Sequence, residues 1–441
     1  MDSHFEYKVL SSALHDAGAV ERLFSSYAPL LEKEGGIRLG AEDGGGNAGL
    51  PSVLFILTGG TEALALAAMD AGKVAAKATA NAAAKAVTVA AKAPAAAYAI
   101  LVAHPLHNSL PAAMEILARV RQDGGKGSIV FLSGPGDEAG AAVLRDTLRA
   151  ASALAAVSAL RIGAIGSPSD WLVASAHSPG TVAATWGASL IPVRIEELRD
   201  KLATIEAAAG DAATEEFRST ASWCREPKKE EIARAGGVYL ALKSIAAAHR
   251  LDALTLRCFD LVQKDGTTGC YALSRLADEG IDAGCEGDVP SIIALALMRR
   301  ISGSPSWMAN PSSIEPRADV DGKGEILLAH CTVPRNGLES YGIRSHFESG
   351  IGVAIAGRMP KGPVTLLRLG GSELNRAWIA EGEMTESPSG EGLCRTQARI
   401  RVEARLLTEL LEAPLGNHIV VARGHWGGTL ARVMAALNVR G

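Results

Sequence analysis

The chain has 441 residues, of which 48% are hydrophobic and 21% charged, as in ordinary globular proteins. At roughly 150 residues per domain, this length predicts about three domains with their own cores and excludes a disordered or fibrous chain. The formal net charge of −4 provides no basic field for phosphate backbones, so we expect small polar metabolites rather than nucleic acids as partners.

No targeting or membrane segment is predicted. The start, MDSHFEYKVL, contains acidic residues and lacks the apolar core of a secretory signal. The alanine-rich stretch 63–103 is interrupted by four lysines and Pro94, so we do not predict a transmembrane helix. The six cysteines form no C-x-x-C pair, which is typical of reduced thiols, and we expect a cytoplasmic protein.

The first third alternates apolar runs with helical stretches. Strands are predicted at Val53–Thr58, Ala99–Ala103 and Ser128–Leu132, and helices at 61–72, 109–122 and 138–157. Continuous apolar strands separated by helices predict a parallel sheet covered on both faces. The alanine-rich stretch is interpreted as a low-complexity helix or a lengthened crossover.

A glycine-rich segment near residue 45 matches the spacing of a dinucleotide-binding fingerprint. The fingerprint requires a strand before its glycines and a helix after them. Here Gly44, Gly46 and Gly49 precede a strand instead. We therefore predict a loop and no nucleotide cofactor.

A second α/β unit is predicted to open at Arg161–Gly166, and the pattern changes after Gly303 to successive strands. The second unit contains predicted helices at 168–176, 195–208 and 226–249, and strands at Ser189–Val193 and Ala253–Asp260. The last third contains predicted strands at 325–331, 351–356, 363–369, 376–383 and 396–402, and helices at 403–412 and 427–437. This last part is predicted to be an antiparallel barrel or sandwich. The predicted domains are 1–160, 161–304 and 305–441.

Polar residues follow several predicted strands, where open α/β sheets bind ligands. The segment GSPSDW, residues 166–171, has the pattern of a helix N-cap and capping box. Its Ser167, Asp170 and Trp171 are also candidate ligand-binding residues. The segments GGT (59–61) and HPLHNS (104–109) fit a ligand-binding edge or an ordinary strand-to-helix turn equally well.

The last third carries histidines and carboxylates next to predicted strands and a predicted helix. Imidazole and carboxylate side chains are ligands that suit Mn²⁺, Zn²⁺ or Fe²⁺. No local ligand pair with metal-binding spacing exists, so folding would have to bring the ligands together, and ordinary buried histidines at strand ends also fit the pattern. The candidates are Glu286, Asp288, His330, His346, Glu348 and His418.

The segments GCEGDVPS, WMANP, LAHCTVP, RSHFESG, CRTQ and LGNH resemble the L-fucose isomerase/L-arabinose isomerase superfamily. The N-terminal phrases ILTGGTEAL, HNSLPAAMEI and RIGAIGSPSDW resemble an isomerase-related branch of that group. The resemblance implies two Rossmann-like, doubly wound parallel-sheet domains followed by a barrel-like domain. It also implies aldose–ketose interconversion with a divalent metal, usually Mn²⁺, and a homo-oligomer, either a trimer or a hexamer.

Position by position, the resemblance implies that Glu286 is a metal ligand and an acid/base group, with His330 and His418 as further ligands. The family has a glutamate or aspartate directly after the methionine of its F-M-E or F-M-D segment. This chain has Ala309 there, which cannot bind a metal, and Asn310 follows one position later with a neutral amide.

The missing carboxylate is predicted to be Asp288 or Glu348. Each has a simpler interpretation, Asp288 as a helix N-cap and Glu348 in a salt bridge with Arg344. Arg395 is a candidate for an anionic substrate group, although it would equally serve a carboxylate within the barrel. His346 and Asn417 complete the predicted substrate-binding residues.

The predicted function is a metal-dependent aldose–ketose isomerase that acts on an open-chain or modified sugar by an enediol route. Moving a proton between C1 and C2 needs stabilisation of the developing oxyanion and positioned acid/base groups, and a metal with carboxylates supplies both. The alternatives are a metal-dependent sugar lyase or dehydratase and a non-catalytic sugar-binding protein.

Overall fold

The structure is a computed structural model that describes residues 4–40, 52–70 and 98–438. It divides into two compact units, Met1–Ala155 with Gly428–Gly441, and Ala156–Gly427. The glycine-rich loop predicted at 44–49, and the alanine-rich stretch over 71–97, lie outside the described residues. In the part of the chain that is described, no helix has the length and apolar character needed to cross a membrane.

The first unit contains a five-stranded parallel sheet in the order β2-β1-β3-β4-β5. Its elements are β1 (Phe5–Leu10), α1 (Ala17–Lys33), β2 (Gly36–Arg38), β3 (Ser52–Ile56), a helix α2 described over 62–70, β4 (Ala99–Ala103), α3 (Ser109–Gln122), β5 (Gly127–Phe131) and α4 (Glu138–Ser158). Successive strand residues point to opposite faces, and each face has its own apolar core. Helices α1 and α4 contribute to one core, and α2 and α3 to the other, as the apolar strands predict.

The second unit begins with a four-stranded parallel sheet in the order β10-β9-β6-β7. Its elements are β6 (Arg161–Ile165), α5 (Pro179–Trp186), β7 (Ser189–Val193), α6 (Ile195–Thr204), α7 (Ala207–Ala213), α8 (Glu215–Thr220), β8 (Trp223–Cys224), α9 (Lys229–His249), β9 (Ala253–Leu256), α10 (Phe259–Asp265), α11 (Cys270–Asp278), β10 (Asp282–Cys285) and α12 (Val289–Ser302). All residues of β9 and β10 are buried, which explains their continuous apolar or small-residue sequences.

A closed antiparallel barrel of six strands follows in the same unit, in the order β11-β12-β17-β16-β15-β18. The remaining elements of this unit are β11 (Trp307–Glu315), β12 (Lys323–His330), β13 (Ser340–Arg344), β14 (Ala354–Arg358), β15 (Gly362–Gly370), β16 (Arg376–Glu386), β17 (Thr396–Glu403), α13 (Ala404–Glu412) and β18 (Ile419–Arg423). The last helix, α14 (Gly427–Asn438), belongs to the first unit from Gly428 onward. The structure therefore confirms the prediction of parallel α/β sheets followed by an antiparallel barrel or sandwich, and shows that it is a barrel.

Two strands of the last third lie outside the barrel. Strand β14, predicted at 351–356, pairs with β13, which in turn pairs with β8, in a separate three-stranded sheet. The pairing with β8 is parallel and joins residues more than a hundred positions apart in sequence. A local sequence pattern carries no information about such a partner.

The helix predicted at 168–176 is wrong, and with it the capping-box interpretation of GSPSDW. The segment forms a series of turns, and the next helix, α5, starts at Pro179 behind the N-cap Ser178. Hydrogen bonds to distant residues keep this segment from forming a helix. The Ser169 amide donates to the Glu286 carbonyl at 2.9 Å, and the Pro168 carbonyl accepts from Arg257 at 2.6 Å. These bonds replace those that a helix would have made.

Candidate metal centre

Three buried side chains from distant parts of the sequence form one cluster. Glu286 follows β10, His330 is the last residue of β12, and His418 directly precedes β18. One ligand atom from each lies within 4.8 Å of the other two. Over the described ranges, this is the one group of three or more histidine, cysteine or acidic residues close enough to hold a metal ion.

The turn between β10 and α12 presents Glu286 in a backbone conformation that few side chains adopt. Glu286 has φ +63° and Gly287 has φ +75°, so two successive residues are left-handed. A Cβ atom on Gly287 would lie 2.7 Å from Cα of Pro168, so only glycine fits there. A left-handed glutamate costs of order 1–3 kcal/mol, and such strain is typical of functional positions.

The Glu286 carboxylate lies between an indole and an imidazole. Nε1 of Trp171 donates to Oε2 at 2.6 Å, while Oε1 lies 3.5 Å from Nε2 of His418. Burial raises the pKa of Glu286, but His418, His330 and the Trp171 N–H outweigh it, and the pKa falls below its ordinary value. Glu286 is therefore an anion at neutral pH.

His418 is fully buried and has different surroundings on its two nitrogens. Nδ1 lies 2.9 Å from Oδ2 of Asp288, and an Nδ1–H that donates to this carboxylate leaves Nε2 directed toward Glu286. Among the described residues, Nε2 has no hydrogen-bond partner. Burial lowers the pKa of His418, but the Asp288 and Glu286 carboxylates outweigh it and raise the pKa to about 9.

Asp288 is fully buried next to Nδ1 of His418, and both of its carboxylate oxygens accept hydrogen bonds. Its Oδ1 caps α12 by accepting from the Ser291 amide at 2.7 Å, and its Oδ2 accepts from Nη1 of Arg368 at 2.9 Å. The buried Arg368 also donates to Ser175 Oγ at 2.7 Å and to the Leu415 carbonyl at 3.2 Å. Burial opposes the charge, yet Arg368 and His418 hold the pKa of Asp288 well below its usual range.

His330 completes the cluster as a neutral imidazole. Its Nδ1 lies 2.9 Å from Thr332 Oγ1, and its ring centre lies 5.5 Å from that of His418. Burial, followed by the charge of His418, lowers the pKa of His330 to about 3. A neutral histidine whose second nitrogen is hydrogen-bonded is the form that binds a metal.

These residues fit a divalent metal ion. The donor set is one ionised carboxylate and two imidazoles, and Nε2 of His418 is a buried atom with no hydrogen bond among the described residues, 3.5 Å from Oε1 of Glu286. Because the raised pKa of His418 keeps a proton on Nε2 at neutral pH, a divalent cation between Nε2 and Glu286 would take the place of that proton. The Asp288–His418 pair also matches the carboxylate–histidine arrangement that orients metal ligands.

A pocket adjoins the cluster, and five of the six cysteines line it. Glu286 and His330 form part of its wall, and the sulfur atoms of Cys258 and Cys285 lie 3.0 Å apart. The hydrogen bond to Cys258 and burial raise the pKa of Cys285, which is therefore a neutral thiol at neutral pH. The five lining cysteines are Cys258, Cys270, Cys285, Cys331 and Cys394.

Three of the other predicted site residues line this pocket. Asn310 lies on β11 opposite Ala329, and His346 and Glu348 lie in the loop between β13 and β14. His346 is buried, its Nδ1 lies 3.0 Å from Ser349 Oγ, and burial followed by the charge of Arg395 lowers its pKa. Glu348 is exposed, so it is the predicted second carboxylate that remains open to solvent.

Five predicted substrate-binding residues, Arg395 among them, are not part of the pocket wall. Ser167 and Asp170 are bound by Arg257, whose Nη1 lies 3.3 Å from the Ser167 hydroxyl and whose Nη2 lies 3.0 Å from Asp170 Oδ2. Asn417 is exposed and donates to the Asn310 side chain at 3.4 Å. Trp171 is half-exposed and contacts the site through Glu286 alone among the three cluster residues.

Two arginines near the pocket have structural partners. Arg395 donates to the Ser345 carbonyl at 3.0 Å and pairs with Glu391 at 3.5 Å, which agrees with the carboxylate interpretation of this residue. Arg344 pairs with Glu226 and Glu391, so the predicted Arg344–Glu348 salt bridge is wrong. Both acidic partners lie far from Arg344 in sequence, so a local sequence pattern could not predict these ion pairs.

Two features of this site were not predicted from the sequence. Arg368 is the buried cation that fixes Asp288, yet it lies within an apolar run, VTLLRLG, that gives no sign of an ionic partner. The thiol wall was missed because its cysteines are scattered over more than a hundred residues. An arginine inside an otherwise apolar strand was the one available signal for the first feature.

Comparison with known proteins gives a weak but relevant similarity. No protein-family model matches the chain. A sulfoquinovose isomerase from Alkalicoccus urumqiensis is 23% identical over 268 residues, which cover 58% of this chain and 59% of that protein. A second sulfoquinovose isomerase, from Clostridium sp. (strain MSTE9), is 23% identical over 226 residues, which cover 51% and 49%.

The matched part of the chain thus covers 49–59% of the length of these curated relatives. Both relatives are sugar isomerases by name, which agrees with the resemblance of the C-terminal motifs to sugar isomerases. The agreement is coarse, because identity is low and coverage partial.

Proposed function

We propose that this protein is a metal-dependent aldose–ketose isomerase that acts on an open-chain or modified sugar through an enediol. The observation that carries the proposal is the buried cluster of Glu286, His330 and His418 at the wall of a pocket. Similarity to two sulfoquinovose isomerases supports the reaction class.

Glu286, His330 and His418 would hold the metal. When bound, a divalent cation, Mn²⁺ in our proposal, supplies Lewis-acid stabilisation of negative charge on the sugar oxygens, worth several kcal/mol. Asp288 keeps the Nδ1–H of His418 in place and so fixes which nitrogen faces the site. We therefore assign Asp288 a positioning role rather than proton transfer.

Isomerisation needs a group that removes a proton from one carbon of the sugar and a group that returns it to the neighbouring carbon. Glu286 is an anion in the pocket wall, held by Trp171, and Glu348 is a second carboxylate on the same pocket. We assign the proton transfers to these two side chains. Asn310 and His346, which line the pocket, would bind sugar hydroxyl groups.

The proposal includes several finer expectations, some from the sequence pattern and some from the superfamily resemblance. They are the Rossmann-like, doubly wound form of the two parallel sheets, a trimeric or hexameric assembly, a cytoplasmic location, and a domain organisation of 1–160, 161–304 and 305–441. Ser167, Asp170, Arg395 and Asn417 stay in the proposal as substrate-binding residues only where a bound sugar displaces their present partners.

The first test is the metal content of protein purified without chelators, compared with a His418→Ala variant. We expect close to one divalent metal per chain in the parent protein and little in the variant, because His418 contributes one of three ligands. His425→Ala is the matched control, since the His425 side chain is more than half exposed and is not one of the three cluster residues. Metal-free parent protein after incubation with Mn²⁺ would contradict the metal site.

The second test is turnover of pentoses, hexoses, deoxysugars and sulfosugars by metal-loaded protein. Glu286→Gln should abolish isomerisation while the circular dichroism spectrum stays that of the parent. Metal binding without any isomerisation, but with cleavage or dehydration of a sugar, would replace this proposal by a lyase or dehydratase. Sugar binding without metal would indicate a binding protein.

A further inference from the structure

A second pocket lies at one end of the barrel and shares no lining residue with the pocket beside Glu286. Its wall includes the barrel residues Trp307, Val364, Met384, Val421 and Arg423. Residues of the segment 333–338, together with Met359 and Pro360, form its rim. Mouths of barrels are common places for small-molecule sites.

The strand registers show that these barrel residues share the inner face. Trp307 pairs with Val421, and Val364 pairs with Arg423. The same face continues through Gly382, the partner of Val364, to the buried Val402. Residues of the opposite parity on β17, such as Arg401, form ion pairs on the outside. The pocket therefore occupies the open end of the barrel interior.

Trp307 lines this pocket and carries an unsatisfied donor. Its side chain is 2% exposed, and its Nε1 has no hydrogen-bond partner within the described part of the chain. Buried indole N–H groups are almost always paired, because an unpaired one keeps the full cost of its desolvation. The indole N–H is therefore available to an acceptor.

Arg423 contributes a cation that has no ion pair with any described residue. It is exposed at the end of β18, and the residues that line the pocket include no acidic side chain. The rest of the wall is largely apolar, with Val333, Leu338, Met359 and Met384 among its members. The pocket thus combines an apolar surface with one positive charge and one free donor.

We propose that this barrel-mouth pocket binds a small organic anion, either a carboxylate or a phosphate monoester, with an apolar body. The anionic oxygen atoms would pair with Arg423 and accept from the Trp307 indole, and the apolar body would contact Met359, Met384 and Val421. Such a ligand satisfies the buried donor and the unpaired cation together, which neither water nor a neutral sugar would do.

The test uses the full chain and three probes of similar size: benzoate, phenyl phosphate and the neutral benzyl alcohol. The chain has six tryptophans, so the indole resonance of Trp307 in a ¹⁵N–¹H spectrum is assigned by its loss in Trp307→Phe. We expect a saturable shift of that resonance with benzoate or phenyl phosphate. The stronger of the two anions identifies the carboxylate or the phosphate class.

Arg423→Met should weaken anion binding at least about tenfold, because it removes a charge-assisted hydrogen bond. Arg317→Met is the matched control, since Arg317 is almost fully exposed and lies outside the pocket wall. Isothermal titration with the Arg423 variant gives the affinity even if Trp307→Phe does not fold. Turnover of the metal-loaded protein should be unchanged in Arg423→Met, because Arg423 does not contact the Glu286 cluster.

Two results would overturn the proposal. The first is that neither anion shifts the Trp307 resonance up to millimolar concentrations, in which case a buried water is the partner of the indole. The second is equal binding of benzyl alcohol and the anions with no effect of Arg423→Met, which indicates an apolar cavity without anion selectivity. Neither result affects the proposed isomerase site.

Discussion

The buried ion pair behind the candidate metal centre decides how firmly His418 is held. Asp288 and Arg368 are both less than 2% exposed, and Asp288 bonds directly to Nδ1 of His418. Removing one member of a buried pair leaves the other charge without compensation, which typically costs 3–5 kcal/mol. The same change frees the imidazole to turn.

Asp288→Asn tests this arrangement at a single atom pair, because asparagine remains a good helix N-cap while it loses the negative charge. We expect metal affinity to fall by about 10–100-fold, the usual effect of losing a partner of a metal-bound histidine. Competition with a chelator measures the affinity. Unchanged affinity in a folded variant would mean that His418 does not depend on Asp288.

A buried histidine in the first unit predicts a separate pH effect. His104 is fully buried, its Nε2 lies 3.0 Å from the Leu57 carbonyl, and its Nδ1 accepts from the Leu106 amide at 3.2 Å. Both contacts fit the neutral ring with a proton on Nε2. Burial, the larger cause, lowers the pKa of His104 below its ordinary value.

Because the pKa of His104 is lower in the folded than in the unfolded chain, the unfolded chain binds more protons as pH falls below about 6.5. The first unit should therefore lose stability below that pH and keep it above. Hydrogen exchange of the α3 amides at pH 5.5 and 7.5 measures the effect. His104→Gln should reduce the difference between the two pH values, and an undiminished difference would assign it to other groups.

At the level of elements, the candidate site depends on a short turn between β10 and α12. Gly287 occupies the left-handed position next to Pro168, so a methyl group there meets both backbone strain and a direct clash. Gly392 has a similar φ of +85° but nothing within 4 Å of its Cβ position. Comparing alanine substitutions at these two glycines therefore separates the cost of backbone strain from the cost of the steric clash.

Gly287→Ala should destabilise the second unit by more than Gly392→Ala, for which strain alone costs of order 1–3 kcal/mol. It should also reduce metal occupancy, because displacement of the turn moves Glu286 away from His330 and His418. Urea unfolding and metal analysis of both variants measure these effects. Equal destabilisation by the two substitutions would contradict the clash with Pro168.

Element by element, local patterns predicted what depends on local sequence. Helix α3 was predicted at 109–122 and found at Ser109–Gln122, because its apolar spacing and flanking residues are local signals. Strands β11 and β13 were missed, since their sequences mix glycine, proline and polar residues and lack a clear apolar pattern. Local patterns also failed for the helix wrongly predicted at 168–176, where tertiary bonds prevail.

The candidate site was partly predictable. Glu286, His330 and His418 were named from their residue types and from resemblance, and the structure brings these three together. Asp288 was predicted to be a catalytic group, whereas in the structure it forms hydrogen bonds with His418 and Arg368. Which carboxylate faces a site and which lies behind it depends on side-chain direction after folding, which sequence spacing does not encode.

At the level of the whole molecule, the two compact units should respond differently to metal. All three candidate ligands belong to the unit Ala156–Gly427. A ligand that binds only the folded state adds about 2.7 kcal/mol at a concentration of 100 Kd. Metal should therefore stabilise that unit directly.

Hydrogen exchange with and without Mn²⁺ tests this expectation on the full chain. Protection should increase in β10, β12 and β18, which carry or adjoin the three ligands, and should disappear in His418→Ala. Helix α1 of the first unit is the internal control. Equal protection of both units, or protection that persists in the variant, would contradict binding at this cluster.

The cysteines that line the first pocket make the candidate metal centre sensitive to oxidants and to soft metal ions. Soft ions such as Cu⁺ or Cd²⁺ prefer sulfur to the nitrogen and oxygen atoms of the neighbouring cluster. Such an ion bound to the cysteines would occupy the pocket beside Glu286. If the proposed isomerase uses this pocket, we expect exposure to air or copper to reduce its activity while the circular dichroism spectrum stays unchanged.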